Sequence, residues 1–400
     1  MRNELHFKEQ EDKRLIDSVE AERSEIGFYN LPEQDISDYI EFAKGVDTND
    51  IVVVGIGGSS LGTEAIYHFL KSSNSYSKKL HFLDTTDPIT LKAKLSDIDL
   101  KTALFIIISK SGTTVESISV LKYLLNIVPL SSKRYVVITD NGSPLQKFGE
   151  NADLKIFNIP DNVGGRYSVL SAVGLVPLSI IGVDIEALLR GAKRLKEEFF
   201  NRENSHSLLQ KASFYARNSE KYTSNCLFSY SAIFEKFNSW YVQLWGESLG
   251  KKQLHSNLNV GLTPIGLIGP TDQHSFLQLI MEGKSDKSVT VIKIKEFNTE
   301  MQIPDISLPH LENLNNLNSL EFSQLINMQC DSTVEALDKI GVPVDVIEIG
   351  KVHEESIGQL MYYYELLTAV VAKQLDINAY DQPGVELGKK ILKSKMANGG

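Results

Sequence analysis

The sequence contains little cysteine and no long uninterrupted apolar run, and each shortage argues against a class of protein. Only two cysteines, Cys226 and Cys330, occur among 400 residues. This number disfavours a disulfide framework and a cysteine-rich structural zinc site, and it suits a reducing cytoplasm. The longest apolar run, 173–183, contains Pro177 and is too short to span a bilayer. The charged N-terminal residues contain no apolar signal core.

Basic residues are also in short supply, with 41 Lys and Arg against 51 Asp and Glu. The resulting net charge of −10 argues against a nucleic-acid partner, because such proteins need a basic face. An anionic ligand would therefore be held by local positive potential and not by the overall field. The apolar content of 42% and the charged content of 23% are typical of a globular protein, and 400 residues suffice for two domains.

A strand that leads into a Gly/Ser/Thr loop and then into a helix occurs twice in succession. The first copy is 51–62 and the second is 104–116. In both, a β-branched apolar run typical of a strand buried on both faces precedes small hydroxyl residues. A loop of this kind exposes backbone N–H groups at a helix N-terminus, which favours a bound phosphate. The pattern therefore predicts a phosphate-ester enzyme or a phosphate-ester sensor.

Strand and helix patterns alternate along most of the chain, and this alternation predicts doubly wound, mainly parallel sheets in an α/β protein. Strands are expected at 51–55, 80–84, 103–108, 134–139, 155–159, 225–230, 264–268, 288–294 and 344–349. Helices are expected at 8–25, 60–72, 88–96, 113–127, 142–149, 168–181, 184–200, 233–250, 274–282, 321–340, 354–375 and 384–396. Both halves follow the same logic, so we expect two related flavodoxin-like subdomains with helical terminal segments.

Two segments interrupt this pattern, a polar one and one rich in Asn, Pro and Leu. The stretch 201–207 is the best candidate for an inter-domain linker, and 299–320 lacks periodicity and is expected to be a surface excursion. The predicted divisions are an N-terminal helical segment at 1–50, a first α/β domain at 51–205, a second at 206–353 and C-terminal helices at 354–400.

The segment from Ser109 to Thr114 is the stronger of the two candidate anion loops. It carries four hydroxyls within six residues, whereas a helix cap needs only one. The alternative without a ligand is an N-capped turn whose other hydroxyls have no role, and Thr113 and Glu116 do have the spacing of a capping box. The glycine-rich loop 55–62 departs from the dinucleotide fingerprint, because serine stands where the third glycine belongs. Such a loop can also serve packing alone.

Several isolated residues could have either a catalytic or binding role or a purely structural one. Arg166 on a double-glycine turn could meet an anion, but it could be an ordinary surface arginine. Gln243 and Glu247 lie four apart and share a helix face, so Glu247 could act as a base or simply pair with Lys251. His274, at a predicted helix start, is by itself more typical of a cap or a surface residue, and the 381–389 segment is equally weak alone.

Taken together, these segments resemble the glucose-6-phosphate isomerase (phosphoglucose isomerase) family, whose two subdomains have the sugar-isomerase fold. The resemblance covers about residues 50–395 in the family's order. It rests on segments 57–62, 109–116, 164–168, 243–251, 272–274 and 380–389.

The resemblance implies a role for each of these residues in the reversible isomerisation of an aldose phosphate to a ketose phosphate. Glu247 would move the proton between C1 and C2, Arg166 would face the enediolate, and His274 with Lys389 would open the ring. The substrate would be bound by Gly58, Ser59, Ser109, Lys110, Ser111, Thr114, Gln243 and Gln382. The family resemblance further implies a cytoplasmic homodimer in which His274 reaches the neighbouring site, and no metal or organic cofactor.

Three alternatives remain at this point. A catalytically silent sugar-phosphate sensor would keep the Ser109–Thr114 loop and lose the proton-transfer groups, which are all present here. An isomerase that also accepts mannose 6-phosphate would differ in cleft shape, which the sequence does not reveal. A dehydrogenase is disfavoured by the broken glycine fingerprint.

Overall fold

The computed structural model describes residues 1–203 and 206–398, so part of the predicted linker 201–207 and the predicted domain ends at 205 and 400 lie outside the described residues. The strands are β1 (Arg2–Leu5), β2 (Asp50–Val54), β3 (Lys79–Leu83), β4 (Leu104–Ile108), β5 (Tyr135–Asp140), β6 (Lys155–Ile159), β7 (Ser224–Ser229), β8 (Lys251–Lys252), β9 (Asn259–Val260), β10 (Thr263–Ile268), β11 (Lys287–Glu296) and β12 (Val344–Lys351). The α-helices are α1 (Arg14–Ala21), α2 (Ser37–Lys44), α3 (Leu61–Lys71), α4 (Pro88–Ser96), α5 (Val115–Ile127), α6 (Pro144–Asn151), α7 (Ala172–Ile181), α8 (Ile185–Phe200), α9 (His206–Arg217), α10 (Glu235–Leu249), α11 (Leu277–Met281), α12 (Phe322–Lys339), α13 (Glu354–Gln374) and α14 (Glu386–Ala397).

The first sheet is parallel throughout, in the order β3-β2-β4-β5-β6. Counted within the sheet this is the order 2-1-3-4-5 of a flavodoxin-like fold. Its strands are buried on both faces: Ile51 and Val53 face one core, whereas Val52 and Val54 face another. The predicted doubly wound α/β fold is therefore confirmed for this half of the chain.

The second sheet repeats this arrangement in the order β10-β7-β11-β12, again parallel, with β1 added antiparallel to β12. Counted by first appearance, the four parallel strands again have the order 2-1-3-4. The strand β1 was not predicted, because its residues Arg2–Leu5 include two charged side chains that face outward at a sheet edge. The helix predicted at 8–25 is also shorter, since α1 covers only Arg14–Ala21.

One hydrophobic core joins the two sheets through the helices between them. It includes Ile51 and Val53 of the first sheet, and Ile292 and Ile347 of the second, together with side chains of α3, α7, α8, α10 and α13. Smaller cores cover the outer faces, under α5 in the first sheet and under α12 in the second. None of the described helices is long and apolar enough to cross a membrane.

Glu365 is a fully buried carboxyl in the middle of α13, and neither of its oxygens has a hydrogen-bond partner among the described residues. Burial raises its pKa well above the ordinary value of a glutamate. The unfolded chain ionises this group near pH 4.3, so its contribution to stability falls as the pH rises above that value, by up to about 1.4 kcal/mol per pH unit.

We therefore expect Glu365→Gln to increase the free energy of unfolding, and to do so more at pH 8 than at pH 5, because the amide has no charged form to expose on unfolding. Chemical denaturation of both proteins at the two pH values measures the difference. An equal change at both pH values would contradict the titration argument.

Candidate active site

Two loops meet at the carboxyl edge of the first sheet, because β2 and β4 are adjacent parallel strands. The chain order reverses between these strands, and ligands of open α/β sheets bind at such a point. The loop after β2 turns at Gly57, with φ of 61°, and the loop after β4 turns at Gly112, with φ of 67°. A side chain at Gly112 would also approach Ser143 Oγ to 2.9 Å. Both glycines are thus required by the backbone conformation.

The hydroxyls of the Ser109–Thr114 loop form two close pairs. Ser109 Oγ and Thr114 Oγ1 lie 2.8 Å apart, and Ser111 Oγ and Thr113 Oγ1 lie 3.1 Å apart. Ser109 is buried, whereas Ser111 is exposed. Helix α5 begins at Val115 with Thr114 as its N-cap and has no side-chain cap, so the capping box expected between Thr113 and Glu116 was a wrong prediction. The hydroxyls are therefore free of that helix-capping role.

The amine of Lys110 is engaged by two neighbouring loops. Its Nζ lies 3.1 Å from Asp140 Oδ2 and donates a hydrogen bond of 2.9 Å to the carbonyl of Asp161. Burial raises the pKa of Asp140, and the bond from Lys110 opposes that rise. This side chain would have to leave these partners to reach a ligand.

The glycine-rich loop after β2 brings three parts of the chain into contact. A Cβ at Gly58 would lie 2.3 Å from the Gly165 carbonyl, so only glycine permits this approach to the turn that carries Arg166. A Cβ at Gly57 would lie 2.9 Å from Gln243 Nε2 on α10. Ser59 is half-buried in the same short turn. The loop thus connects the anion-loop edge of the sheet to the Arg166 turn and to α10.

Arg166 is buried and uses its guanidinium to join three segments. Its Nε donates to Ser248 Oγ at 2.7 Å, and its Nη1 lies 3.4 Å from Glu247 Oε2. Its Nη2 donates to the carbonyl of Asp381 at 2.9 Å and also to that of Ala379. This network fixes a cation beside a carboxylate whose side chain remains about one-third exposed, at 34%.

Glu247 and Gln243 share a face of α10, as their spacing predicted. Gln243 Nε2 donates to Glu247 Oε1 at 3.3 Å, while Gln243 Oε1 is buried without a partner among the described residues. The carboxylate is therefore oriented from one side by an amide and from the other by Arg166.

A cleft of about 910 Å³ lies against Glu247 and is lined by Gln382 as well. Lys251 borders it and pairs with Asp381 at 2.7 Å, so the alternative in which Glu247 simply pairs with Lys251 is not observed. Burial lowers the pKa of Lys251, and its hydrogen bond to Asp381 opposes that change. The cleft therefore exposes the carboxylate of Glu247 to a small-molecule ligand.

His274 and Lys389 are not joined to this network. His274 is exposed at the end of a short turn, Thr271–His274, and its side chain makes no hydrogen bond or ion pair with the residues that the structure describes. Lys389 lies on α14 and pairs with Glu386 of the same helix at 2.8 Å. The helix expected from 274 begins only at Leu277. Within one chain, the two residues to which the resemblance assigned ring opening are thus not joined to the Arg166–Glu247 network.

Sequence reasoning missed Ser248 and the carbonyls of 379 and 381 as contributors to the network, and it gave Lys251 a different partner, since Lys251 pairs with Asp381. Ser248 and Lys251 lie inside the same segment as Glu247, so their proximity in sequence was an available signal. The backbone carbonyls of 379 and 381 carry no sequence signal, because any residue supplies a carbonyl. Among residues 1–203 and 206–398, no group of three or more metal-ligating side chains occurs.

Comparison with known proteins identifies the family. The family profile described as phosphoglucose isomerase matches residues 34–398. The chain is 44% identical to a glucose-6-phosphate isomerase of Campylobacter jejuni, over 98% of this chain and 99% of that protein. A solved structure of a hypothetical protein from Thermus thermophilus is similar, with a TM-score of 0.88 and 31% identity over 96% of this chain and 94% of that one.

A solved glucose-6-phosphate isomerase from Chlamydia trachomatis has the same fold, with a TM-score of 0.82 at 22% identity over 96% of this chain and 83% of that one. The near-complete profile match and the identity to the Campylobacter protein exceed what a shared fold alone would give. This chain belongs to the phosphoglucose isomerase family.

Proposed function

We propose that this chain interconverts glucose 6-phosphate and fructose 6-phosphate, the aldose–ketose isomerisation of glycolysis and gluconeogenesis. The observation that carries the proposal is the Arg166–Glu247 pair, 3.4 Å apart, in which Glu247 lines the cleft and the buried Arg166 lies behind it, in a chain of this family. The reaction opens the sugar ring and then transfers a proton through a cis-enediolate.

The proton transfer needs one base and one fixed cation. Glu247 takes the proton from one carbon and returns it to the next, and Gln243 holds its other oxygen. Arg166 cannot lose its own proton and stabilises the negative charge of the enediolate. Every group in these steps belongs to the chain itself.

Binding of the phosphate, remote from C1 and C2, orients the substrate for this transfer. In this proposal the phosphate lies among Ser109, Ser111 and Thr114 at the N-terminus of α5, with Lys110 at the rim. The loop of Gly58 and Ser59 lines the same site, and Gln382 faces the sugar hydroxyls from the other side of the cleft. The loop after β2 lies between the phosphate end of this site and the end that carries Arg166 and Glu247.

A direct assay tests the proposed activity. Purified protein should convert fructose 6-phosphate to glucose 6-phosphate, which a coupling enzyme then oxidises for detection. The rate should be the same in excess chelator. Binding of the sugar phosphate without turnover would instead support the sensor, and loss of activity on chelation would overturn the mechanism. A parallel reaction with mannose 6-phosphate tests the wider substrate range.

The Ser111→Asp variant tests the phosphate loop. A carboxylate at this exposed position would repel the substrate phosphate, so we expect KM to rise on the order of tenfold or more while the fold persists. Ser132→Asp, at an exposed position before β5 and at the amino end of the same sheet, is the matched control and should keep its KM. An unchanged KM in Ser111→Asp would remove the loop from the binding site.

We further propose a cytoplasmic homodimer in which His274 enters the partner's site and residues 354–400 complete the active site. The exposed His274 and the wholly exposed α14, which carries Lys389, support this. Exposed apolar side chains on α14 are Leu387, Ile391, Leu392 and Met396. A helix with such a stripe is unstable alone in water, which favours a covering surface.

A second copy of this chain offers a surface of complementary charge. Helix α14 has four lysines and one glutamate, whereas no lysine or arginine occurs between Lys295 and Lys339. The excursion in that interval exposes the large apolar residues Met301, Ile306, Leu308, Leu311 and Leu314, and Phe322 at the start of α12 is exposed beside it. A groove lined by Met301 and Phe322 is also lined by Pro270, which lies four residues before His274 in the sequence. Both cysteines are free and buried, which suits the proposed compartment.

A further inference from the structure

The guanidinium of Arg166 makes short hydrogen bonds on one side and a long contact on the other. Nε donates to Ser248 Oγ at 2.7 Å, and Nη2 donates to the Asp381 carbonyl at 2.9 Å. Nη1, by contrast, is 3.4 Å from a single oxygen of Glu247. Arginine–carboxylate pairs in proteins commonly close to about 2.7–2.9 Å and often use two parallel bonds. The contact between Arg166 and the cleft-lining carboxylate of Glu247 is thus longer than a tight ion pair.

Ser248 is positioned to keep Arg166 from closing a tight ion pair with Glu247. It follows Glu247 directly on α10 and is completely buried, so water does not compete for its hydroxyl. Tyr167 donates a second hydrogen bond to the same oxygen, at 3.1 Å, which fixes the acceptor in place. The helix that supplies the carboxylate therefore also supplies the anchor that restrains its cation.

We propose that Ser248 is a positioning residue for the isomerisation. Its hydroxyl anchors Nε of Arg166, so that Nη1 stays directed at the reacting atoms and does not close a tight ion pair with Glu247. This inference rests on the proposed function. Without the hydroxyl, Nε loses its acceptor, and rotation of the guanidinium toward Glu247 becomes the favoured way to pair the buried charge.

The Ser248→Ala variant tests this role. We expect kcat to fall about 10- to 100-fold, the range for losing a hydrogen bond to a charged group, with KM changed by less than about twofold. Ser213→Ala is the matched control: Ser213 is also fully buried and hydrogen-bonded, to Gln374 Nε2 at 2.9 Å, but lies on α9 away from Arg166. It should lose stability and keep kcat.

A pair of inhibitors separates positioning from a structural role. An open-chain polyol 6-phosphate lacks charge at C1 and C2, whereas a sugar-acid phosphate carries a carboxylate that mimics the enediolate. In Ser248→Ala the acid should bind more weakly by about the same factor as kcat falls, while polyol binding stays within about twofold. Equal weakening of both inhibitors would show that Ser248 only supports the fold, and would overturn the proposal.

A double-mutant cycle with Arg166→Lys completes the test. Lysine has no Nε–H for the hydroxyl to hold, so Ser248→Ala should add little to the loss caused by Arg166→Lys. Additive losses would contradict the proposal. If Ser248→Ala does not fold, Ser248→Cys keeps the volume with a weak acceptor and should show the same inhibitor selectivity. An inactive wild-type protein would overturn the proposed function instead, whereas an active wild type with an unimpaired Ser248→Ala overturns only the positioning role.

Discussion

Replacing Glu247 by glutamine is expected to reduce isomerisation by about 10²- to 10⁴-fold, the range for loss of a general base. The amide is nearly the same shape as the carboxylate but cannot accept a proton from carbon. The neighbouring contacts can be largely kept, because the remaining amide oxygen can still accept a hydrogen bond from Arg166 or Gln243. The loss should therefore appear in kcat.

Two measurements make this result decisive. Inhibition by the polyol 6-phosphate should be unchanged within about twofold, since phosphate binding does not involve the base. Glu235→Gln, at an exposed position in the first turn of the same helix α10, is the control and should retain wild-type turnover. A Glu247→Gln protein that keeps most of its kcat would show that the base lies elsewhere.

The parallel strands were predictable from sequence because each is marked locally. Strand β4, Leu104–Ile108, is a run of five buried apolar residues, and such a run suits a strand with helices on both faces. A similar run forms β2, whereas β7 at the centre of the second sheet contains the buried polar residues Asn225 and Ser229. In that half the doubly wound fold follows from the alternation of strands with helices. The ends of the strands differ from the expected ones by only a residue or two.

Elements stabilised by distant partners were not predictable in this way. Strand β1 has the half-exposed pattern of a short edge and forms only because β12, more than 300 residues later, offers a free edge. Helix α2 has no fully buried residue, and its apolar side chains are only partly covered by the main core. Helix α9 was also not expected, although α13 covers its apolar face. Tertiary contacts decided these segments.

The residues of the candidate site also differ in whether a local sequence pattern marks them. Arg166 and Glu247 lie in segments whose glycine and spacing patterns are visible in sequence, and the structure brings them together. The partners of Lys110, which are Asp140 and the Asp161 carbonyl, come from other loops of the sheet edge and have no local signature. His274 and Lys389 are exposed within one chain, so no single-chain argument could assemble them.

The exposed His274 leads to the second large effect, which appears only when two inactive proteins are combined. If the proposed dimer is correct, Glu247 of one chain works with His274 of the other. Glu247→Gln and His274→Ala should then each be nearly inactive alone. When the two variants are mixed under subunit exchange or co-expressed, activity should return.

The amount of recovery follows from the symmetry of the dimer. A two-fold dimer has two equivalent sites, and in a mixed dimer one site receives both lesions while the other receives neither. Random exchange makes about half of the dimers mixed, so activity should approach about one quarter of the wild-type value, by the same symmetry argument. Turnover of the mixture is compared with that of each variant alone at equal total protein.

Two controls decide how this result is read. Subunit exchange is verified separately by mixing chains that carry different tags and isolating the doubly tagged dimer, so that a failure to recover activity has only one meaning. No recovery despite exchange would place both residues in the site of a single chain. A monomeric mass in solution for the active wild-type enzyme would equally contradict the shared site, because His274 then has no partner's cleft to enter.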